Sequence, residues 1–496
     1  MKEHVAETPH GPRYHFVVPD SKRGPFDPNG NIYWKGRHHI FYIFTVPDER
    51  FPRKIAAPFG HASSADLVNW TLHPWALEPT RGGPDGQGKC WSGDGFLWGR
   101  TPAIAYWGDG GQTCLATSND DLLVQWTKHP ANPVIAAQPV KGRPQGGDHA
   151  PYVWEENGTW YCIRGGKLPE GDTVFLFKAR CADLTEWEYL HPLYRPERCW
   201  TEPYEDMACP EFFPLGDRHV VIGLSHTRGV HYYIGHWKNE RFMPESHGRM
   251  NGPGGRYGAP ESYVDDNGRR TLWAWAVQGN GGSPEPGAMA IPRVLTLSDD
   301  KQSLNMRPIK ELERLRKDGC EEKNIVLASG EPVSFDGIRG DCLEIQAEID
   351  PADATRIAVA VRRSPDGKEQ TRIVYDAERD TLAIDVSDSS LNPPKDLYMR
   401  FAAGHGFYKQ VGLENEPVLV QEAPFTLKAG EPLRLRIFLD RCMLEVFANG
   451  RQALCRQIFP TREDSLGVQF VAGHGNATVT SLHAWQMGAM TYAFDR

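Results

Sequence analysis

Hydrophobic and polar residues alternate over short stretches along most of this chain, and long runs with helical periodicity are nearly absent. Residues 31–43 and 152–163 each contain two short alternating runs around a polar turn with a glycine, a pattern typical of β-hairpins. The 50 glycines and 39 prolines provide many further turns. The sequence therefore predicts an all-β fold made of many short strands.

A weak internal repeat indicates how these strands are arranged. The theme Asp-Leu-x-x-Trp occurs three times, ending at Trp70, Trp126 and Trp187, with one extra residue in the second copy. Successive tryptophans lie 56 and 61 residues apart, and a four-stranded propeller blade needs roughly 40 to 60 residues. The spacing favours a five-bladed β-propeller over a sandwich or an α/β barrel. The alternative is that three similar turns arose independently.

The pattern changes after a short charged helical stretch at 308–316. Runs with strict alternation follow, such as 343–349 and 433–439, and this period of two is typical of half-buried antiparallel strands. We predict a five-bladed β-propeller domain over residues 1–312, and a linker with a C-terminal β-sandwich over residues 313–496.

Composition excludes several classes of partner. The net charge is −9 and the basic residues are scattered, so we expect no nucleic-acid binding. We find no apolar run long enough for a membrane span and no signal peptide, so the chain as it stands is predicted to be cytoplasmic, with a secreted mature form as the alternative. The ten cysteines show no metal-binding or disulfide pattern, and most are expected to be buried. No metal and no organic cofactor is predicted.

Three segments at plausible blade starts carry candidate chemistry. They contain Asp27 in Gly-Pro-Phe-Asp-Pro-Asn-Gly, Asp148 in Gly-Gly-Asp-His-Ala-Pro, and Glu211 in Ala-Cys-Pro-Glu. The first strands of propeller blades line the central channel, so residues far apart in sequence meet there. Alone, Asp-Pro-Asn-Gly is simply a good turn sequence. Together the three segments favour a catalytic site in the channel.

These motifs, in this order, resemble glycoside hydrolase family 32, which contains invertases, inulinases, levanases and fructosyltransferases. The resemblance covers almost the whole chain and implies a five-bladed propeller followed by a β-sandwich. It is carried by Asp27-Pro-Asn-Gly30, Trp91-Ser-Gly93, Asp148, Cys209-Pro210, Tyr257-Gly-Ala-Pro260, Trp273-Ala-Trp275, Ile291-Pro-Arg-Val-Leu295, Leu444-Glu-Val-Phe447 and Phe459-Pro460.

The resemblance implies a retaining glycosidase, which needs two carboxyl groups about 5 to 5.5 Å apart, one as nucleophile and one as acid and then base. Asp27 would be the nucleophile that forms a fructosyl-enzyme, and Asp148 would stabilise the cationic transition state. The acid/base Glu is expected at position 208, where this chain has Ala208. Loss of a general acid costs about 10²- to 10⁴-fold in rate. We therefore predict a β-fructofuranosidase-type hydrolase of sucrose or β-linked fructans that is severely impaired.

Ala208 has two interpretations. A deliberate change from Glu would trap the substrate, whereas a natural change implies loss of function or takeover of proton transfer by a neighbouring acid. The neighbouring acids are Glu202, Glu205, Asp206 and Glu211. Strand alternation places Glu211, three residues after Ala208, on the opposite face, which makes it a poor substitute.

The sugar contacts are predicted from the same resemblance. Gly147 stands where an Arg is implied before Asp148, so His149 and Arg164 are the candidates for that contact. Asp94 either binds sugar hydroxyls or is an exposed turn residue. The other predicted substrate-binding residues are Asn29, His61, Trp91, Ser92, Tyr257, Glu261 and Trp273. Packing inside a blade is an equally good explanation for the tryptophans.

Three other functions fit the sequence. An intramolecular fructosyltransferase would release a cyclic difructose from a fructan, and a fructan-binding pseudoenzyme would have no activity. An arabinan-cleaving five-bladed relative is a third alternative, but Leu444-Glu-Val-Phe447 in the second domain argues against it. The expected ligand is sucrose, a fructo-oligosaccharide or a fructan, and homo-oligomer formation is left open.

Overall fold

A computed structural model describes residues 2–3, 9–19, 24–52, 54–137, 149–197, 199–276, 287–393 and 417–495. Strands account for 56% and helices for 2% of the structure, which confirms the predicted all-β class. Six of the ten cysteines are buried, as predicted for most of them. In the described part of the chain, no helix has the length and apolar character that a membrane crossing requires.

Five sheets form the propeller, and the first strand of each blade lies at the central channel. In spatial order the first sheet consists of β1 (Lys2–Glu3), β37 (Thr491–Phe494), β7 (Asn69–Leu77), β6 (Phe59–Ser64), β3 (Arg37–Ile43) and β2 (Ile32–Trp34). A small hairpin between β3 and β6 consists of β4 (Val46–Pro47) and β5 (Ile55–Ala56).

The other four blades follow in chain order. The second blade consists of β8 (Trp91–Trp98), β9 (Thr101–Trp107), β10 (Thr113–Ser118) and β11 (Trp126–Lys128). The third consists of β12 (Pro151–Glu156), β13 (Thr159–Leu168), β14 (Gly171–Ala179) and β15 (Trp187–Pro192). The fourth consists of β16 (Ala208–Leu215), β17 (Arg218–Ser225), β18 (Gly229–Lys238) and β19 (Arg241–Arg249). The fifth consists of β20 (Gly258–Val264), β21 (Arg270–Ala276), β22 (Ala288–Met289), β23 (Arg293–Leu297) and β24 (Leu304–Pro308).

Two six-stranded sheets form the predicted sandwich after a 3-10 segment at Lys310–Leu315; a shorter 3-10 segment is Asp109–Gly111 in the second blade. One sheet consists of β25 (Arg316–Leu327), β36 (Ala477–Met487), β27 (Cys342–Asp350), β32 (Leu433–Asp440), β33 (Met443–Ala448) and β34 (Gln452–Gln457). The other consists of β26 (Val333–Arg339), β35 (Gly467–Gly473), β28 (Arg356–Arg363), β29 (Thr371–Asp376), β30 (Thr381–Asp385) and β31 (Val420–Pro424). After the sandwich, the chain returns to the propeller and β37 pairs in parallel with β7.

The tryptophan repeat is a turn that precedes the outer strand of each of the first three blades. Leu67, Leu123 and Leu184 have positive φ angles of 61°, 56° and 56° and are fully buried. The indole N–H three residues later donates to each leucine carbonyl, at 3.2, 2.7 and 2.7 Å. Positive φ is strained for leucine, so the buried side chain and the indole bond hold the turn in place. In the second copy the extra residue lies before Leu123.

Both predicted hairpins are confirmed. β2 and β3 are joined by Lys35 and Gly36 with φ of 47° and 77°, and β12 and β13 by Asn157 and Gly158 with φ of 51° and 78°. Positive φ at both central residues is the geometry that matches the twist of paired strands. This requirement explains why each turn ends in glycine.

Asp440 fastens the N-terminal segment to the sandwich. Its carboxylate accepts the backbone N–H groups of residues 13–15 at 2.7, 2.8 and 2.9 Å, and the ring Nδ1 of His15 lies 2.8 Å from it. His15 Nε2 lies 3.2 Å from Glu445. The imidazole is fully buried between two carboxylates.

This arrangement makes stability depend on pH. Burial lowers the pKa of His15, but the hydrogen bonds and negative charges of Asp440 and Glu445 together outweigh it and raise the pKa to about 9. Because the folded pKa exceeds the ordinary value of about 6.5, the stabilisation is complete below that pH and is lost as the pH rises through 9. We expect this group to reduce the free energy of unfolding by about 3 kcal/mol over that range. Thermal unfolding of the parent and of His15→Gln at several pH values measures this loss of stability. If the stability of the variant falls as steeply between pH 6.5 and 9, His15 is not the group responsible.

Candidate active site

Asp27 lies at the channel immediately before the first blade. The Ser92 hydroxyl donates to Asp27 Oδ2 at 2.7 Å, and the Asn29 side-chain amide donates to the Asp27 carbonyl at 2.7 Å. The backbone N–H of Gly93 donates to Asn29 Oδ1 at 3.3 Å. The structure therefore brings together three of the residues predicted for the site, from the first two blades.

Burial raises the pKa of Asp27, and the hydrogen bond from Ser92 opposes that shift. The positive charge of His226 opposes it further. These two groups therefore favour the ionised carboxylate, the form that a nucleophile requires.

Ala208 begins β16, the inner strand of the fourth blade, and is buried. The next residue, Cys209, has a positive φ of 44°. Burial raises the pKa of the Cys209 thiol well above its usual value, and the negative charge of Asp27 adds to the shift while a hydrogen bond with Ser92 opposes it. The segment that begins at Ala208 therefore lies beside Asp27, and position 208 offers no acidic group.

Two of the neighbouring acids are unsuited to proton donation. Glu202 is exposed. Glu205 is buried, but both of its oxygens accept from Arg249 Nη2, at 2.8 and 3.0 Å. Burial alone would raise the pKa of Glu205, but the charge and hydrogen bonds of Arg249, together with the charge of His231, hold it below its usual value. That carboxylate is therefore ionised and already bound.

The expected alternation between Ala208 and Glu211 is wrong, because a one-residue bulge interrupts β16. Ala208 pairs with Leu224, whereas Glu211 pairs with Ile222, so three residues on one strand match two on the other. Glu211 is nevertheless engaged elsewhere. Its carboxylate accepts both the backbone N–H and the hydroxyl of Ser262, the hydroxyl at 2.6 Å. Burial raises the pKa of Glu211 to about 7.

Three buried carboxyl groups join the inner strands of neighbouring blades. Asp94 on β8 accepts from the N–H of Val153 on β12 at 3.0 Å, and Glu211 on β16 accepts from β20. Glu261 on β20 accepts from the N–H of Asn31, next to β2, at 2.7 Å. Burial raises the pKa of Asp94 and Glu261 well above their usual values. Asp94 is 4% exposed, so the alternative of an exposed turn residue is wrong.

Other predicted contact residues lie within the packed blades. The His61 ring, on the third strand of its blade, stacks on Phe41 with centroids 4.3 Å apart. Trp273 is 1% exposed and packs edge-on against Trp70 at 5.8 Å. The surroundings of Trp273 therefore fit the alternative explanation, packing inside a blade.

Tyr257 and Arg164 are also surrounded by protein groups. The Arg293 guanidinium lies 3.7 Å from the ring centre of Tyr257. The Arg164 guanidinium donates to the carbonyls of Ala136, at 3.1 Å, and Gly111. Their roles in sugar binding remain predictions.

A row of aromatic rings begins at Trp91, which is half-buried at the start of β8. The Lys89 ammonium lies 4.2 Å from the centre of the Trp91 ring. Ring centroids are 6.0 Å apart from Trp91 to Trp107, 5.7 Å from Trp107 to His149, and 5.5 Å from His149 to His226. Trp91 and His149 thus stay candidates for the wall of the sugar pocket.

His149, Asp206 and His226 form a group that the sequence did not reveal. Asp206 Oδ2 lies 2.6 Å from His226 Nδ1 and 3.3 Å from His149 Nε2. The backbone N–H of His226 donates to Asp206 Oδ1 at 3.0 Å. Burial alone would raise the pKa of Asp206, but its interactions with His226 and His149 together lower it, so this candidate replacement for the proton donor is ionised. His226 follows β17 and carries no motif, so only the fold identifies it.

Asp148, the predicted transition-state stabiliser, lies outside the described residues, as does Gly147. Its role remains a prediction. The described site therefore consists of Asp27 with its bond from Ser92, an alanine at the position predicted for the acid/base, and the group of His149, Asp206 and His226.

Comparisons with known proteins agree with the fold and identify the family. Residues 25–308 match the description "Glycosyl hydrolases family 32 N-terminal domain", and residues 311–486 match "Glycosyl hydrolases family 32 C terminal". Fold and sequence together define a glycoside hydrolase. The chain belongs to glycosyl hydrolases family 32.

Individual relatives cover nearly the whole chain. A levanase of Bacillus subtilis is 28% identical over 95% of this chain and 69% of its own length. A fructan 6-exohydrolase of Beta vulgaris is 25% identical over 97% of this chain and 87% of its own. The crystal structure of fructan 1-exohydrolase IIa from Cichorium intybus superposes with a TM-score of 0.81 at 23% identity, over 99% of this chain and 100% of that one, and shows the fold.

Proposed function

We propose that this chain is a retaining β-fructofuranosidase-type hydrolase that cleaves sucrose or β-linked fructans through a fructosyl-enzyme on Asp27. The observation that carries the proposal is the Asp27 carboxylate at the channel, oriented by Ser92 at 2.7 Å. Relatives that include a levanase, a fructan 6-exohydrolase and a sucrose-6-phosphate hydrolase support the substrate class.

In the first step the Asp27 carboxylate forms a bond to the anomeric carbon of a fructosyl unit. The bond from that carbon to the leaving oxygen breaks, and its electron pair remains on the oxygen. Water then cleaves the fructosyl-enzyme and regenerates Asp27. Asp148 is the proposed stabiliser of the positive charge that develops on the sugar in both steps.

Because of Ala208, this mechanism lacks the acid/base group. A carboxylic acid at that position would protonate the leaving oxygen and later deprotonate the attacking water. Without it, both steps are slowed, and the effect is greatest for a poor leaving group such as a sugar alkoxide. We propose that cleavage through Asp27 without help from an acid/base group is about 10²- to 10⁴-fold slower in this chain than it would be with a carboxylic acid at position 208.

An Ala208→Glu variant tests this proposal. Sucrose, inulin and levan are each incubated with parent and variant in the presence of EDTA, so that no bound cation contributes, and the products are identified by chromatography. We expect the variant to be faster by about 10² or more. Ala208→Gln, which has a similar size but no acid, is the matched control and should stay slow.

The products distinguish the alternatives. Free fructose or short fructans support hydrolysis, whereas a cyclic difructose would identify an intramolecular fructosyltransferase. If parent and Ala208→Glu are both inert with and without metal ions while a fructan still binds, the chain is a fructan-binding protein and the proposed activity is wrong.

A further inference from the structure

We infer that His149, Asp206 and His226 bind one divalent transition-metal ion next to Asp27. The role given to the ion below rests on the proposed function, whereas its binding does not. Each of these side chains offers one ligand atom, and the three ligand atoms lie within 4.8 Å of one another. Among the histidines, cysteines and carboxylates of the described part of the chain, this is the group close enough to share an ion.

One of the two distances to Asp206 already suits coordination. Nitrogen and oxygen ligands bind Zn²⁺ at about 2.0 to 2.2 Å, which places neighbouring ligand atoms roughly 3 to 3.4 Å apart. Asp206 Oδ2 lies 3.3 Å from His149 Nε2, within that range, whereas the 2.6 Å to His226 Nδ1 is a hydrogen-bond distance that a bound ion would lengthen. The Asp206 side chain is 1% exposed and those of both histidines less than a fifth, so the ligands come from a shielded part of the channel.

Hydrogen bonding explains only half of this group. His226 Nδ1 and Asp206 are hydrogen-bonded partners. His149 Nε2 is buried and lies 3.3 Å from the same oxygen, but no hydrogen bond of good geometry joins the two atoms in the described structure. An ion bound between them would satisfy this nitrogen.

The ligand types select the ion. Two imidazole nitrogens and one carboxylate oxygen suit Zn²⁺, Mn²⁺, Fe²⁺ or Co²⁺ better than Ca²⁺ or Mg²⁺, which favour oxygen. Three protein ligands leave positions open for water or substrate, as in catalytic and not structural zinc sites. The negative charges of Asp206 and of nearby Asp27 favour a cation here.

The position of the ion supplies what Ala208 lacks. Asp206 lies two residues before Ala208, and the rings of Trp91 and Trp107 lead from β8, where Ser92 binds Asp27, to His149. When Asp27 bonds to the anomeric carbon, the electron pair of the broken bond stays on the leaving oxygen. A bound ion would offer that oxygen an open ligand position and balance its charge; water would then supply the proton, and the hydroxide so formed would be used when the fructosyl-enzyme is hydrolysed. No carboxylic acid is needed for this step.

Metal content is the direct test. The full-length protein is stripped with EDTA, loaded separately with Zn²⁺, Mn²⁺ or Co²⁺, freed of excess ion and analysed by elemental mass spectrometry. We expect about one tightly bound ion per chain for at least one of these metals. Affinity should fall at least tenfold in His149→Ala and in the conservative Asp206→Asn, with folding checked by circular dichroism. The visible absorption of bound Co²⁺ reports whether nitrogen ligands are present.

His236→Ala is the matched control, because this partly exposed histidine lies outside the group and its removal should leave metal binding unchanged. Sucrose cleavage should fall about 10²-fold on stripping and return on reloading. The proposed metal site is wrong if the parent retains less than about a tenth of an ion per chain. It is also wrong if the His149 and Asp206 variants bind the metal as tightly as the parent.

Two further outcomes separate the site from its role. Stoichiometric binding with no effect on cleavage keeps the site and overturns the role of the ion. A different result would assign the proton donor to the His226–Asp206 pair. In that case the protein binds no metal, the parent cleaves as fast in EDTA as without it, and His226→Ala does not cleave. The EDTA-treated Ala208→Glu variant tests the proposed function independently, since it cleaves without the ion.

Discussion

Replacing Asp27 by Asn is expected to reduce the cleavage of sucrose and fructans by about 10⁴-fold or more. The amide has the size of the carboxylate but neither attacks the anomeric carbon nor carries the charge that favours the cationic transition state. Binding contacts of the sugar are left largely in place. The loss should therefore appear in kcat, with little change in KM.

Steady-state kinetics with metal-loaded parent and variant measure this loss. Asp121→Asn is the matched control, because Asp121 is exposed and pairs with Lys35 at the surface, and it should cleave within about twofold of the parent. A variant of Asp27 that retains a tenth or more of the parent kcat would contradict the role of Asp27 as nucleophile.

Arg293→Met is expected to give the largest loss of stability, about 3 to 5 kcal/mol. Arg293 is fully buried on β23, where its Nη1 donates to the Met250 carbonyl at 2.9 Å and its Nη2 lies 3.6 Å from Glu445 of the sandwich. Glu445 also accepts the N–H of Ile291 at 2.6 Å. Two segments that suggested the family, Ile291–Leu295 and Leu444–Phe447, thus meet across the two domains.

Removal of the Arg293 guanidinium takes away a positive group that faces the buried carboxylate of Glu445. A buried charge that loses its partner is destabilising, so the loss of folding free energy is large. Scanning calorimetry of Arg293→Met and Arg434→Met compares a buried pair with an exposed one. Arg434 is 55% exposed and pairs with Glu348, so its loss should cost less than about 1 kcal/mol. Equal transition temperatures for the two variants would show that Arg293 does not hold the domains together.

Patterns that depend on neighbouring residues were readable from the sequence. The hairpin turns end in glycine because two successive positive φ angles are needed there. The tryptophan repeat revealed the blades because each copy makes the same local bond between an indole and a leucine carbonyl. Alternation at 343–349 and 433–439 gave the sandwich, where Leu343 pairs with Leu439 and Ile349 with Leu433.

Features that depend on contacts between blades were not readable. Asp94 and Glu261 are predicted to bind sugar, and the sequence does not reveal that each also accepts a backbone N–H from a neighbouring blade. The bulge at Cys209 changed the direction expected for Glu211. His226 joins Asp206 only because β17 returns the chain to the channel, 20 residues later. No short-range pattern encodes these contacts.

The site also shows why Ala208 need not mean an inert protein. Glu202 is exposed and Glu205 is bound to Arg249, so no simple exchange of one acid for another is available among them. The inferred ion offers a different solution, in which charge on the leaving oxygen is balanced instead of being removed by a carboxylic acid. Chelation separates these two mechanisms.

The central claim is that Asp27 becomes covalently bound to a fructosyl unit. β-Fructofuranosyl fluoride tests it most directly, because fluoride leaves without protonation while hydrolysis of the fructosyl-enzyme stays slow without the acid/base group. After rapid quenching in EDTA, peptide mass spectrometry should find one anhydrofructose unit on the peptide that contains Asp27, and none in Asp27→Asn. Fluoride release with no adduct on that peptide, or with the same adduct in Asp27→Asn, would contradict the account.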